Sequence, residues 1–413
     1  MKILQINTDN ASGGAGRAAS RLHSGLKQLG NVSRMIVRTK SGLDDNIQTI
    51  PRTSIIGRGI EYLLKHYYHY GSFHYLYYPS MRVFLKHPWV LDADVINLHN
   101  IHGNYFAYPC LPKLTHKKPV VWTLHDMWGF TGHCSYSFTC QRWKTGCGSC
   151  PDLEVYPQIR IDTTHLQWRI KSILYQRSIL TIVTPSEWLL SLTRISPLLG
   201  SFQVRCIPNS VNTEIFRPLD RMSVRKAFDL PTDTFLLFYV SGKLQDKRKG
   251  NDLFISCMQK LASELPSINL AVVTVGEGTE LWKEHIPFPV YPLGSISNDN
   301  ILAACYSSVD LLVLTTRMDN LPNTLLESMA CGTPCVSFNV GGVSEAVNHL
   351  ETGYLAQAEA IDDLTIGITS FLHNNDLLEK CRLNSRLKAI QEFAIHIQAE
   401  RYLELYQSIV NIK

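Results

Sequence analysis

Asp319 and Glu327 bracket the segment Asp319-Asn-Leu-Pro-Asn-Thr-Leu-Leu-Glu327, one acid ahead of a predicted helix and one inside it. The apolar run Asp310-Leu-Leu-Val-Leu-Thr-Thr316 before them reads as a buried parallel strand. Asn323 or Thr324 can cap a helix carried by Leu325, Leu326, Met329 and Ala330, with Gly332 at its stop. A strand, a polar loop and a helix start are where an open α/β sheet binds its ligand. Unpaired amides at that helix start suit a phosphate, and an acid on either side can hold hydroxyls. A phosphate between two sets of hydroxyls describes a nucleotide-sugar. Acids near a helix start also serve as caps and dipole partners, so this pattern alone leaves both readings open.

Other segments carry compatible chemistry. Lys243 and Lys249, in Ser241-Gly-Lys-Leu-Gln-Asp-Lys-Arg-Lys-Gly250, follow another predicted strand and can close on a diphosphate. A solvated basic loop is the alternative. The glycines of Asn10-Ala-Ser-Gly-Gly-Ala-Gly16 permit close approach of a ligand to the backbone, or simply make a tight turn. Their spacing is not the dinucleotide fingerprint. His125, just beyond the strand Val120–Leu124, suits a hydrogen-bond partner or proton acceptor, against the reading of a satisfied core histidine. His99 and His102 are weaker candidates of the same kind. Cys134, Cys140, Cys147 and Cys150 suggest a structural zinc site. Only the Cys147–Cys150 step has the usual short spacing; a disulfide, a redox role and simple packing compete.

The elements that must position these groups alternate between short apolar runs and helical patterns, the sign of parallel sheets with crossover helices. At 413 residues, with 45% hydrophobic and 18% charged content, the chain can fill two cores. Strands are expected at Lys2–Asn7, Val32–Arg38, Val95–Leu98, Val120–Leu124, Leu180–Thr184 and Val204–Ile207. In the second half they fall at Thr234–Ser241, Ile268–Val275, Asp310–Thr315 and Pro334–Phe338. Two Rossmann-like domains are predicted, residues 1–207 and 208–390, joined by a Pro-bounded linker near 208–220. Residues 391–413 are predicted to pack back toward the first domain, with a helix over Gln391–Val410.

The formal charge of +5 hides an asymmetry, since residues 1–200 hold 22 Lys and Arg against 11 Asp and Glu. A basic half suits an anionic membrane surface or a phosphorylated ligand, or is an uneven surface and nothing more. The insertion Ile55–Val90 is rich in tyrosine: Tyr62, Tyr67, Tyr68, Tyr70, Tyr75, Tyr77 and Tyr78, with His66, His69 and His74. It can rest on lipid headgroups, form an acceptor groove, or pack helices on the first sheet, the last being favoured. No secretory signal is visible, and no apolar run approaches the roughly 20 residues of a membrane span. A cytoplasmic protein with reduced thiols is expected, in peripheral contact at most with the inner membrane surface, and no nucleic-acid partner is indicated.

Taken together, Lys243…Lys249-Gly250, Val275-Gly-Glu-Gly278, Asp319…Glu327 with Ala330-Cys-Gly-Thr-Pro334, and Gly341-Gly342…Glu345 resemble the family 4 retaining glycosyltransferases of the GT-B fold. The segments Thr123-Leu-His-Asp-Met-Trp128 and Cys147-Gly-Ser-Cys-Pro151 look more narrowly like the branch that builds colanic acid and similar bacterial surface polysaccharides. The resemblance implies two Rossmann-like domains facing across a cleft. It implies sugar transfer from a nucleotide-diphosphate-sugar to a saccharide or lipid-linked saccharide, with retention and no catalytic metal or other cofactor. Glu327 would hold the ribose, Asp319 the donor sugar, and the backbone of Asn323, Thr324 and Leu325 the distal phosphate. Lys243 and Lys249 would clamp the diphosphate, Gly14 would line the cleft, and His125 would touch the sugar. Gly276, Gly294 and Ser295 would border the base. The family usually carries Glu where Asp319 stands and commonly Arg where Lys243 stands, which bears on donor identity. The same architecture also serves nucleotide-sugar epimerases and non-catalytic glycan-binding proteins.

Overall fold

The computed structural model describes residues 1–51, 53–72, 75–240 and 246–411, arranged as two units. The first comprises residues 1–209 with the segment from Ile395 onward, and the second Ser210–Ala394.

The first unit is built on seven parallel strands: β1 (Lys2–Asp9), β2 (Val32–Thr39), β3 (Ile47–Thr49), β4 (Val95–Leu98), β5 (Val120–Thr123), β6 (Thr181–Thr184) and β7 (Gln203–Cys206). Their order is β3-β2-β1-β4-β5-β6-β7. The central strands are buried along their whole length, as a sheet covered on both faces requires. Helix α1 (Gly13–Gln28) follows β1. Helix α2 (Ile55–Gly71) begins the tyrosine-rich insertion.

The insertion divides. Tyr75 and Tyr78 are buried, whereas Tyr62 and Tyr67 are exposed. The side chains of Tyr68, His69 and Tyr70, and residue His74, lie outside the described set.

The second unit holds β8 (Phe235–Val240), β9 (Leu270–Val275), β10 (Val290–Pro292), β11 (Leu311–Leu314), β12 (Cys335–Phe338) and β13 (Gly353–Ala356). All pair in parallel, in the order β10-β9-β8-β11-β12-β13. Alternate residues of β8 feed two cores: Leu236 and Phe238 on one face, Leu237 and Tyr239 on the other. Helix α3 (Asn323–Ala330) follows β11, and α4 (Asn375–Phe393) closes the unit.

The expected C-terminal helix over Gln391–Val410 is broken. Helix α4 ends at Phe393 and α5 runs from Ile395 to Val410. The Phe393 carbonyl accepts from the Val211 amide (2.8 Å) instead of continuing a helical ladder, and Ala394 is extended. The two ends of the second unit, Val211 and Ala394, are therefore paired with each other. Three short strands, β3, β10 and β13, are additions to the predicted set; each is only three or four residues long and carries no readable period.

Candidate functional site

At the C-terminal end of β11 the chain leads into the loop holding Asp319 and then into α3. The predicted cap is corrected here: the N-cap is Pro322, which has no side chain able to cap the helix. Asn323, Thr324 and Leu325 open the helix at its positive end, with the Leu325 amide donating to the Pro322 carbonyl (3.1 Å).

Asp319 is 8% exposed. Its Oδ2 accepts from Arg248 Nη1 at 2.9 Å and from Lys249 Nζ at 3.0 Å. Burial alone would raise this carboxyl, but the Lys249 ammonium and the Arg248 guanidinium hold it well below the usual carboxylate range. Lys249 and Asp319, read from sequence as separate ligand contacts, are therefore partners of each other. Arg248 is the added member. Lys243 lies outside the described residues.

Two glycines make this juxtaposition sterically feasible. Gly250 (φ +67°) would place a Cβ 1.9 Å from the Thr315 carbonyl oxygen, and Gly341 (φ +56°) one 1.8 Å from that of Asp319. The basic turn Lys247–Lys249 is further stitched to the strand end by the Arg317 amide on the Arg248 carbonyl (2.8 Å) and by Thr315 Oγ1 on the Gly250 carbonyl (2.7 Å). Lys249, Thr315, Asp319, Pro322 and Thr324 line one small pocket.

Glu327 lies deeper, 1% exposed, and its Oε2 accepts from the buried Tyr306 hydroxyl at 3.2 Å. Nothing in the sequence pairs Tyr306 with it. Gly276 and Gly294 are brought together, the amide of the first donating to the carbonyl of the second at 2.9 Å, and exposed Ser295 follows. Not every buried carboxylate here faces a pocket. Asp310, at the other end of β11, is held by Arg225 (2.7 Å) and Arg382 (3.0 Å) and ties down the β8 amide of Leu236.

In the first unit, Gly14 is exposed in the first turn of α1. The preceding loop is organised by Asp9, whose Oδ1 accepts from the amides of Ala11 (2.7 Å) and Ser12 (2.6 Å). His125 heads a buried chain: its Nε2 is 2.9 Å from His99 Nδ1, and His99 Nε2 is 2.7 Å from Gln5 Oε1. With the Gln5 oxygen accepting, His99 Nδ1 accepts in turn and His125 Nε2 donates, so the lone pair of His125 lies on Nδ1. Burial lowers the His125 pKa to about 4, so at neutral pH it is an uncharged imidazole and a weak base. His102 Nε2 pairs with Asp126 Oδ2 at 3.0 Å. Burial would raise the Asp126 carboxyl, but His102 and the Trp128 amide bring it below its usual value.

The cysteine cluster is braced by Lys171, fully buried, whose ammonium donates to the carbonyls of Trp128 (2.6 Å) and Thr131 (3.0 Å) and lies 3.6 Å from the Trp128 ring centroid. Burial pushes Cys134 up to about 12 and Cys147 up to about 11, and raises Cys150. Cys147 Sγ accepts from the Gly132 amide (3.2 Å), and Cys150 Sγ lies 3.4 Å from His133 Nε2. Among the described residues, no three His, Cys, Asp or Glu side chains form a group that could hold a metal. Cys134, Cys140, Cys147 and Cys150 lie close enough together for their charges to act on one another.

Known proteins resemble this chain in sequence and in fold. Residues 220–388, inside the second unit, match the family model described as glycosyl transferases group 1. The chain is 26% identical over 368 residues to the putative colanic acid biosynthesis glycosyl transferase WcaC of Escherichia coli K12, covering 84% of this chain and 85% of that one. It is 23% identical over 214 residues to N-acetyl-alpha-D-glucosaminyl L-malate synthase of Bacillus anthracis, covering 50% of this chain and 54% of that one. Among solved structures, sucrose-phosphate synthase of Thermosynechococcus elongatus superposes with a TM-score of 0.72 at 17% identity, covering 100% of both chains. Anabaena Alr3699/HepE in complex with UDP and glucose superposes with a TM-score of 0.69 at 16% identity, covering 99% of this chain and 100% of that one.

Proposed function

We propose that this chain, a glycosyltransferase of GT-B fold with a group 1 domain over residues 220–388, moves a sugar from a nucleotide-diphosphate-sugar to a saccharide or lipid-linked saccharide in bacterial surface polysaccharide biosynthesis. One observation carries the donor reading. Arg248 and Lys249 converge on Asp319 beside the start of α3. In the free protein the carboxylate balances the two cations. A diphosphate seated against the first-turn amides of Asn323, Thr324 and Leu325 would draw Lys249 and Arg248 onto its oxygens. That leaves Asp319 for donor-sugar hydroxyls, with Lys243 as a further phosphate contact. Glu327 would take the ribose, and Gly276, Gly294 and Ser295 would border the base. His125, neutral, would act as a hydrogen-bond partner of the sugar rather than as a base.

The relatives support the finer points. Colanic acid biosynthesis in the WcaC description favours a surface polysaccharide acceptor. The UDP and glucose in the Anabaena complex make UDP-sugars the first donors to test. Retention follows the family resemblance and is read from the anomeric configuration of the first-formed product by NMR. Because fixed cations supply the charge that neutralises a leaving diphosphate, transfer should persist in EDTA. The test is calorimetric titration of the full chain with nucleoside diphosphates and nucleotide-sugars, UDP first. Absence of binding by every one of them ends the donor reading.

A further inference from the structure

A second pocket, of about 250 Å³, lies wholly within the first unit. It sits at the C-terminal edge of the sheet: Arg38 is near the end of β2, Thr49 ends β3, and Asn104 and Tyr105 follow β4. Its other wall comes from the insertion, through Glu61 on α2 and through Tyr78.

The loop from β4 is held in an unusual shape. Asn104 adopts φ +63° and Gly103 φ +125°. Thr8 Oγ1 donates to the carbonyls of Asn100 (3.1 Å) and His102 (3.0 Å), and Arg38 Nη1 donates to that of Gly103 (2.6 Å). A left-handed non-glycine residue fixed by surrounding bonds marks places where a side chain is being aimed.

Three polar groups of the pocket are each anchored by one bond and keep capacity for more. Arg38 uses one of its N–H groups on Gly103. Glu61 Oε1 accepts from the Ser80 amide at 2.8 Å. Asn104 Oδ1 accepts from the Tyr78 hydroxyl at 3.4 Å, leaving its amide nitrogen. A guanidinium, a carboxylate and an amide beside two tyrosines offer donors and acceptors together with an aromatic wall. A phosphate would be repelled by Glu61, and an apolar chain would leave the charges unmatched. A ring of hydroxyls, each able to donate and accept, satisfies all of them.

We propose that this pocket is a saccharide subsite that holds a sugar ring of the acceptor through Arg38, Glu61 and Asn104. The assignment deepens the glycosyltransferase reading and rests on it for the ring's role as acceptor, while binding itself can be measured alone. Saturation-transfer NMR on the full chain, with the methyl glycosides of glucose, galactose and N-acetylglucosamine at millimolar concentration, tests it. At least one glycoside should receive saturation. Its binding should weaken roughly tenfold in Glu61→Gln and in Asn104→Gly, each of which removes one polar contact. Asn104→Gly suits the positive φ, and Glu61→Gln retains an oxygen for the Ser80 amide, so both variants should fold and bind UDP like the natural chain. No transfer to any of the three glycosides overturns the proposal, as does unchanged binding in both variants or displacement of the glycoside by inorganic phosphate. Glycoside binding without UDP binding would instead count against the donor reading and leave the subsite standing.

Discussion

Asp319 has two roles to separate, as counter-ion and as sugar ligand, and substitution can split them. In Asp319→Asn the Arg248 and Lys249 charges lose their partner. Nucleoside diphosphate alone should therefore bind as tightly as before or tighter, while sugar transfer falls. Weaker diphosphate binding in this variant would mean that Asp319 does more than balance charge. Lys249→Ala should weaken diphosphate binding about 10- to 100-fold, the range of one charge-assisted hydrogen bond, as read by titration calorimetry. The pair also contributes to stability. Its carboxyl is held below the unfolded value, so that contribution is complete above about pH 4 and is lost as pH falls further. His125 acts in a neighbouring window. With a folded pKa of about 4 against 6.5 unfolded, the unfolded state binds more protons between those values, so stability rises with pH across them. His125→Asn should flatten the slope of unfolding free energy over that interval, and an unchanged slope would show that other groups set it. At this scale the acids were readable because strand, loop and helix frame them. Arg248 was not: which of three consecutive basic residues turns inward depends on the tight turn Lys247–Lys249 and on Gly250, not on residue type.

Among the helices, α2 differs from its neighbours in exposing its apolar stripe. Ile56, Ile60, Leu63 and Tyr67 recur at the spacing of one helical face, and Ile56 is 77% and Leu63 67% exposed. The opposite face carries Glu61 into the pocket of the first unit. Such a stripe on a basic half of the chain supports peripheral binding to an anionic membrane surface, where apolar burial and charge attraction add. Ile56→Asp with Leu63→Asp should abolish co-sedimentation with phosphatidylglycerol vesicles while leaving UDP binding intact. Equal sedimentation of variant and natural chain would refute the membrane role of α2. The tyrosine content of the insertion was visible in sequence, but not how it divides. Tyr75 and Tyr78 go inward because their segment lies against β4 and its loop, a long-range placement that no local period records.

The whole molecule pairs one continuous unit with one discontinuous unit, since residues 210–394 interrupt a first unit that α5 completes. The dependence is unequal. Helix α5 lays Ala399, Tyr402 and Tyr406, all buried, against Leu22, Leu26 and Val95. Tyr406 accepts from Asn97 Nδ2 (2.9 Å), and the Tyr402 hydroxyl bonds Thr123 Oγ1 (2.9 Å). Gly25 shows how closely α1 approaches, since a Cβ there would stand 2.6 Å from Ile395 Cγ2. Loss of a single large buried side chain removes about 3–5 kcal/mol, and a domain is stable by only about 5–15 kcal/mol. Losing Tyr402 and Tyr406 together would therefore remove most of the stability of a typical domain. The two cores flanking the sheet of the second unit are, among the described residues, built from positions between Val211 and Phe393. Residues 210–394 expressed alone should melt cooperatively and still bind UDP, whereas residues 1–209 alone should lack a cooperative transition by circular dichroism. A cooperative melt of 1–209 near the temperature of the intact chain would show that α5 is an appendage, not part of that core. Sequence periodicity located the two sheets, and the C-terminal segment is expected to pack toward the first domain, but the start of α5 is not legible in it. The break at Ala394 is made by a contact distant in sequence, the Val211 amide taking the Phe393 carbonyl, and it separates α5 from α4.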